Sequence, residues 1–178
     1  MKILVGGAGS GSGKTTFIRL ILKTFPKRFT VVKVSVSEKY PCEKVTDKNV
    51  LNTPGKDTYY FLHGGAKQVL WIKGDRECVG RFLEKEVPQA EGDVIIEGNS
   101  AMYFVKPDVS FFVFRPKEEF EKESAVYFKK RADYLVENIK ETVKPYIYKN
   151  VLRISILKEF ECSSAAVRDI LGNLLQFA

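Results

Sequence analysis

Gly6-Gly7-Ala8-Gly9-Ser10-Gly11-Ser12-Gly13-Lys14-Thr15-Thr16 decides how the rest of the chain is read. The apolar run Ile3-Leu4-Val5 precedes it and Phe17-Ile18-Arg19-Leu20-Ile21-Leu22 follows it, an order of strand, glycine loop and helix. From Ala8 to Thr15 the residues read A-x-x-x-x-G-K-T, the phosphate-binding loop with alanine at its first glycine position. Glycines let backbone N–H groups turn toward phosphate oxygens with no side chain in the way, and the N-terminus of the following helix points at the same anion. In this reading Gly9, Ser10, Gly11, Ser12, Gly13, Lys14, Thr15 and Thr16 bind the phosphates. Lys14 neutralises charge on the outer phosphates and on the γ-phosphoryl group as it is transferred, and the Thr15 hydroxyl is the expected Mg²⁺ ligand. A glycine-serine linker offers no reason to place Gly13-Lys14-Thr15-Thr16 between an apolar strand and an amphipathic helix. The dinucleotide fingerprint G-x-G-x-x-G fits no register, because the third glycine is always missing.

Composition narrows the class. The 178 residues are 44% apolar, enough for one domain of ordinary size with its own core, so residues 1–178 are expected to form one nucleotide-binding domain. No apolar run approaches the roughly 20 residues of a membrane span. The strand and loop begin at once, which leaves no room for a signal peptide. Cys42, Cys78 and Cys162 form an odd set without C-x-x-C spacing and read as free thiols of a reducing, cytoplasmic compartment. The net charge of +7 is unevenly placed: residues 1–50 carry ten Lys and Arg against three Asp and Glu, and the remainder is neutral. A polyanionic small ligand accounts for that excess, and a solvated lysine surface accounts for it equally well. No nucleic-acid motif accompanies the charge, so neither nucleic acid nor membrane is expected as a partner.

Along the chain, apolar and β-branched runs alternate with helical patterns. Residues 2–6, Thr30-Val31-Val32-Lys33-Val34-Ser35, Gln68-Val69-Leu70-Trp71-Ile72, Asp93-Val94-Ile95-Ile96-Glu97, Val109-Ser110-Phe111-Phe112-Val113-Phe114, Asp133 to Asn138 and Leu152-Arg153-Ile154-Ser155-Ile156 read as strands. Residues 14–25, 56–64, 75–87 and 117–131 read as helices, and Ser163 or Ser164 caps a last one running to about Phe177. Residues 36–55, with Pro41 and Pro54-Gly55, read as a long irregular loop near the site. The alternation predicts an α/β fold, the three-layer P-loop NTPase arrangement with a mainly parallel sheet flanked by helices.

Three further places carry chemistry. A P-loop protein needs an acid at the end of a neighbouring strand, where it meets Mg²⁺ or its water shell. Glu97 stands there, followed by Gly98 for a sharp turn beside the γ-phosphate, whereas Asp93 lies at the opposite end of the strand. Thr53-Pro54-Gly55-Lys56-Asp57-Thr58 is a turn entering a helix, with Asp57 favourable to the helix dipole; its functional reading has Asp57 reach the Mg²⁺ shell. Lys33 interrupts an apolar strand, so it either touches phosphate or substrate or snorkels from the sheet. Guanine-reading loops of the N-K-x-D kind end a late strand. In Asn138-Ile139-Lys140-Glu141 the asparagine fits, which makes Asn138 a base-contact candidate beside the plainer reading of a polar strand end. His63, the only histidine, sits in a helix beside Gly64 and is not expected to bind metal.

Taken together, Gly13-Lys14-Thr15-Thr16, the lysine of strand two (Lys33), Pro54-Gly55-Lys56-Asp57-Thr58, Gly64-Gly65-Ala66 and Glu97-Gly98 resemble the MobB family, molybdopterin-guanine dinucleotide biosynthesis protein B. These are P-loop proteins of the signal-recognition and MinD class, and the likeness runs through much of residues 2–115. The resemblance implies GTP binding with Mg²⁺, slow hydrolysis, a homodimer and an accessory role in molybdenum cofactor biosynthesis. Its partners would be molybdopterin or the enzyme that joins a guanine nucleotide to it. Val34-Ser35-Val36-Ser37 stand where the family carries histidines, and Asn99-Ser100-Ala101-Met102-Tyr103 also depart from its pattern. Gly9 occupies the place of the second lysine of MinD-type loops, which argues against that ATPase mechanism. ATP is the alternative ligand to GTP, and a small-molecule kinase or a nucleotide-dependent protein-binding switch are the alternative functions.

Overall fold

A computed structural model describes residues 1–90, 92–117, 122–141, 143–162 and 165–176. Strands β1 (Lys2–Gly7), β2 (Phe29–Val36), β3 (Glu43–Val45), β4 (Gln68–Gly74), β5 (Asp93–Glu97), β6 (Val109–Phe114), β7 (Tyr134–Asn138), β8 (Tyr146–Tyr148) and β9 (Val151–Ile154) join in one sheet. Among the described residues its order is β3-β4-β2-β5-β1-β6-β7-β9-β8. All neighbours pair in parallel except the two edges, where β3 runs antiparallel to β4 and β8 antiparallel to β9. Helices α1 (Lys14–Thr24), α2 (Lys48–Leu51), α3 (Asp57–His63), α4 (Arg76–Gln89), α5 (Glu123–Arg131), α6 (Ile156–Cys162) and α7 (Ala165–Gln176) connect and flank the strands.

The inner strands are apolar along their length because both of their faces are covered. Alternate residues therefore serve opposite layers. Ile3, Val5, Val31, Ile95 and Phe111 pack with Phe17, Ile18 and Ile21 of α1 and Val167 and Leu171 of α7. Leu4, Val32, Ile96 and Phe112 pack with Val79 and Leu83 of α4 and Phe128 of α5. Each of Phe111 and Phe112 is fully buried, and burial of such a side chain stabilises the fold by about 1.5–3 kcal/mol. The adjacent pair thus pins both layers to one central strand. The chain leaves β1 toward β2 on one side, while β6 lies on the other, so the crevice beyond the C-terminal end of β1 is the switch point where such sheets bind ligands.

Several expectations are revised. The stretch 36–55 is not wholly irregular: β3 adds to the edge of β4, and Asp47 caps the short α2 by accepting from Asn49 N at 2.8 Å. The helix expected from residue 117 begins at Glu123, with residues 118–121 outside the described set. The last strand ends at Ile154, and α6 starts at Ile156 where the alternation suggested more strand. The cap at Ser163 or Ser164 and the helix end at Phe177 also lie outside the described residues.

The cysteines are a correction as well. Cys42 and Cys78 are joined by a disulfide across a sequence separation of 36 residues. The antiparallel return of β3, with Glu43 opposite Lys73, carries residue 42 back to the start of α4, a juxtaposition that spacing along the chain does not reveal. The expectation of three free thiols is overturned by this pair. Among the described residues no helix is long and apolar enough to cross a membrane.

Candidate functional site

The glycine loop leaves β1 and is held from two sides. Asn99, in a 3-10 turn spanning Asn99–Tyr103, accepts from Gly7 N at 2.8 Å and donates to Gly7 O at 3.0 Å. This two-point clamp fixes the backbone where the strand ends. Asn138, the last residue of β7, donates from Nδ2 to Ser12 O at 3.0 Å, while its Oδ1 accepts from Ile156 N at 3.3 Å. A Cβ added at Gly13, where φ is 109°, would stand 2.5 Å from that Asn138 nitrogen, so a side chain here would both strain the loop and break the tie. Lys14 lies at the start of α1 and donates from Nζ to Gly9 O at 2.6 Å and to Ser12 Oγ at 3.3 Å. The loop is thus curled around its own lysine, with the helix N-terminus beneath it and no acidic residue in the first turn of α1 to oppose an anion.

Beside the loop runs a chain of polar contacts through four residues from four separate parts of the sequence. Thr15 Oγ1 donates to Asp57 Oδ1 at 2.8 Å; Lys33 Nζ pairs with Asp57 Oδ2 and, at 2.9 Å, with Glu97 Oε2. Register explains the meeting: Lys33 of β2 stands directly opposite Glu97 of β5, and Glu97 opposite Val5 of β1. Asp57 enters from the first turn of α3, positioned by the Pro54-Gly55 turn and by Thr58, whose buried hydroxyl donates to Leu51 O at 2.8 Å. Burial alone would push the Lys33 ammonium down, but the charges of Glu97 and Asp57 and their hydrogen bonds reverse this and raise it. For Asp57 burial pushes the carboxyl up, and the Lys33 hydrogen bond and charge, the Thr15 hydroxyl and the charge of Lys14 outweigh it and hold it low. Gly98 follows with φ 144°; a Cβ there would lie 3.0 Å from both Cβ and O of Val34, which is why glycine makes this turn.

The donor set suits Mg²⁺, a hard cation that takes one or two carboxylates and completes its shell with phosphate and water. Two carboxylates and a hydroxyl converge, and a cationic nitrogen, Lys33 Nζ, already lies between the carboxylates. Among the described residues no group of three or more His, Cys, Asp or Glu is arranged to hold a metal ion by itself.

Two cavities flank the loop. On the β2 and β4 side, one of about 260 Å³ is lined by Lys33, Asp57, Lys56 and Trp71 among others. On the β6 and β7 side, one of about 430 Å³ is lined by Arg115, Lys117, Asn138, Lys140 and Glu141 among others.

No family model matches the chain, and no curated protein does. Among solved structures, "apo" form LpxK from Aquifex aeolicus in complex with ATP matches with a TM-score of 0.53 at 17% identity, over 85% of this chain and 53% of that one. The fold is that of a P-loop NTPase. At that identity the likeness establishes fold alone, and the chain spans about half the length of that protein.

Within this P-loop NTPase fold, the sequence-predicted residues divide into two groups. Thr15, Asp57, Lys33 and Glu97 meet in one polar network, and the charge of Lys14 acts on Asp57 from the loop. Asn138 reaches the loop itself, tying Ser12 to the start of α6, and also lines the larger cavity. His63 contacts Asn52 at 2.8 Å and the Tyr59 ring, away from the acids. Asp93 pairs with Arg28 at the far end of β5. Sequence reasoning missed the clamp by Asn99, which the Glu97-Gly98-Asn99 order alone does not disclose.

Proposed function

We propose that this chain binds a nucleoside triphosphate with Mg²⁺ on residues 9–16 and slowly cleaves its γ-phosphate bond. The observation that carries the reading is the Thr15–Asp57–Lys33–Glu97 chain laid against a phosphate loop at the sheet's switch point. Mg²⁺, when bound, would neutralise charge developing on the β- and γ-oxygens, with Thr15, Asp57 and Glu97 as the residues that hold it or its waters. Lys14 and the N-terminus of α1 stabilise the terminal phosphates electrostatically. Glu97, almost fully buried and anchored by Lys33, orients a water without being free to move far. Asn138 keeps the loop in shape from the side of the larger cavity, which is where a base would lie. That placement, and the acid Glu141 nearby, support GTP.

The Pro54-Gly55-Lys56-Asp57-Thr58 segment supports a MobB-like accessory role in molybdenum cofactor biosynthesis, with molybdopterin or its nucleotide-joining enzyme as partner and a homodimer as the working form. A second reading, a small-molecule kinase, is favoured by one observation: Asp57 faces the loop through Thr15 and also lines the 260 Å³ cavity. Phosphate release from ATP and from GTP, each with Mg²⁺ and with the metal chelated, tests the proposal. Slow, metal-dependent release, faster from GTP, is expected, and no release from either nucleotide contradicts it.

A further inference from the structure

The cavity on the β2 and β4 side belongs to no part of the phosphate loop, yet it shares a wall with it. Its inner end is formed by Lys33 and Asp57, and its outer part by Lys56, Val50 and Trp71. The two ends differ in chemistry. Trp71 offers an aromatic surface, its ring fixed by a hydrogen bond from Nε1 to Ser35 Oγ at 3.0 Å, by Tyr40 edge-on at 6.3 Å and by Lys73 at 4.7 Å from the ring centre. Val50, 44% exposed, continues that apolar surface. The inner end pairs a carboxylate, which accepts hydrogen bonds, with the Lys33 nitrogen, which donates them. A volume of about 260 Å³ is just below the usual range of small-molecule sites, which run from roughly 300 to 1,000 Å³.

We infer that this cavity is the site of a second ligand, a small organic anion with a flat or apolar body and a hydroxyl group. The body lies along Trp71 and Val50, the anionic group meets Lys56 and Lys33, and the hydroxyl donates to Asp57. Because Asp57 Oδ1 accepts from Thr15, the hydroxyl is brought to the side of the loop where the terminal phosphate lies. The inference rests on the nucleotide-binding reading for the word "second", but the cavity is distinct from the one that would take the base.

Trp71 is the single tryptophan of the chain, so its emission reports on this cavity alone. A panel of hydroxylated aromatic and aliphatic acids and phosphate esters, each under about 15 heavy atoms, is titrated into the protein with Mg²⁺ and a non-hydrolysable GTP or ATP analogue at saturation, so that the phosphate loop is filled. Nucleotide affinity is measured separately by calorimetry. At least one member, such as mandelate, whose carboxylate and hydroxyl are adjacent, should change Trp71 emission saturably, with phenylacetate and benzyl alcohol each binding about tenfold more weakly. Lys56→Ala, an exposed substitution, should weaken that binding by about tenfold while leaving nucleotide affinity unchanged. Lys33→Gln should weaken it at least as much. If no member of the panel moves Trp71 emission up to about 10 mM while the analogue binds normally, the second-ligand site is overturned and nucleotide binding stands. If Lys56→Ala and Lys33→Gln leave the affinity of a bound acid unchanged, the assigned pose is overturned. Failure of the analogue itself to bind contradicts the nucleotide reading instead.

Discussion

Lys33 is the residue on which the site's electrostatics turn. It is a lysine inside an apolar strand, tolerated because two carboxylates meet it. Removing it in Lys33→Ala takes away the ammonium that lies between Asp57 and Glu97. Breaking a fully buried pair costs roughly 3–5 kcal/mol. Asp57 is 37% exposed, so water shares the burden and a loss of about 2 kcal/mol is expected in chemical denaturation. Added Mg²⁺ should return part of it. The pH dependence follows from the two shifts. Asp57 is held below its ordinary range, so its contribution is present above about pH 4 and is lost as pH falls through the lowered value. Lys33 is raised, so its contribution is present below the ordinary lysine range and is lost only as pH rises through the raised value. The wild-type pair should therefore not titrate between about pH 5 and 9, whereas in Lys33→Ala the two like charges left without that ammonium favour proton uptake, so the stability difference between the two should shrink on acidification. A difference that does not shrink as pH falls would contradict the network. The sequence showed Lys33 as an anomaly without its partners, because strand register, which sets it opposite Glu97, is a property of the assembled sheet.

At the scale of elements, the phosphate loop depends on parts that do not touch a ligand. Asn138 ties β7, the loop and α6 together through two hydrogen bonds. Asn138→Ala should cost about 1–2 kcal/mol of stability and, by freeing Ser12, weaken nucleotide binding without abolishing it. Loss of neither in paired unfolding and calorimetric experiments would remove the positioning role. The segment between β2 and α2 depends instead on the Cys42–Cys78 disulfide, which closes a loop of 36 residues. Chain-entropy arguments give such a closure about 4 kcal/mol. Cys42→Ser with Cys78→Ser should lower the melting temperature and speed amide exchange in residues 37–47, while α1 and the central strands stay protected. These elements were the hardest to read. β3 and β8 each have three residues, too few for a period to declare itself, and β8 presents Tyr146, Ile147 and Tyr148 exposed at a sheet edge. Ile154-Ser155-Ile156 alternates like strand, yet the chain turns into α6 there.

The whole molecule follows from the order of its apolar runs. Alternation of strands with helices predicted a mainly parallel sheet, as found, and the apolar β5 and β6 are covered on both faces. The loop motif points to a candidate site at the C-terminal edge of the sheet, since a strand–glycine–helix unit in such a sheet opens there. What the linear order left hidden is the flanking architecture: one cavity toward β7 and another toward β4, with Asp57 between the second and the loop. This two-sided plan rests on one claim, that residues 9–16 hold the phosphates of a nucleotide. Calorimetric titration of ATP and GTP with Mg²⁺ into the wild type and into Lys14→Ala tests it most directly. Binding that needs Mg²⁺ and is lost in Lys14→Ala, with the protein still folded, is the predicted result. Nucleotide affinity unchanged by Lys14→Ala would contradict it.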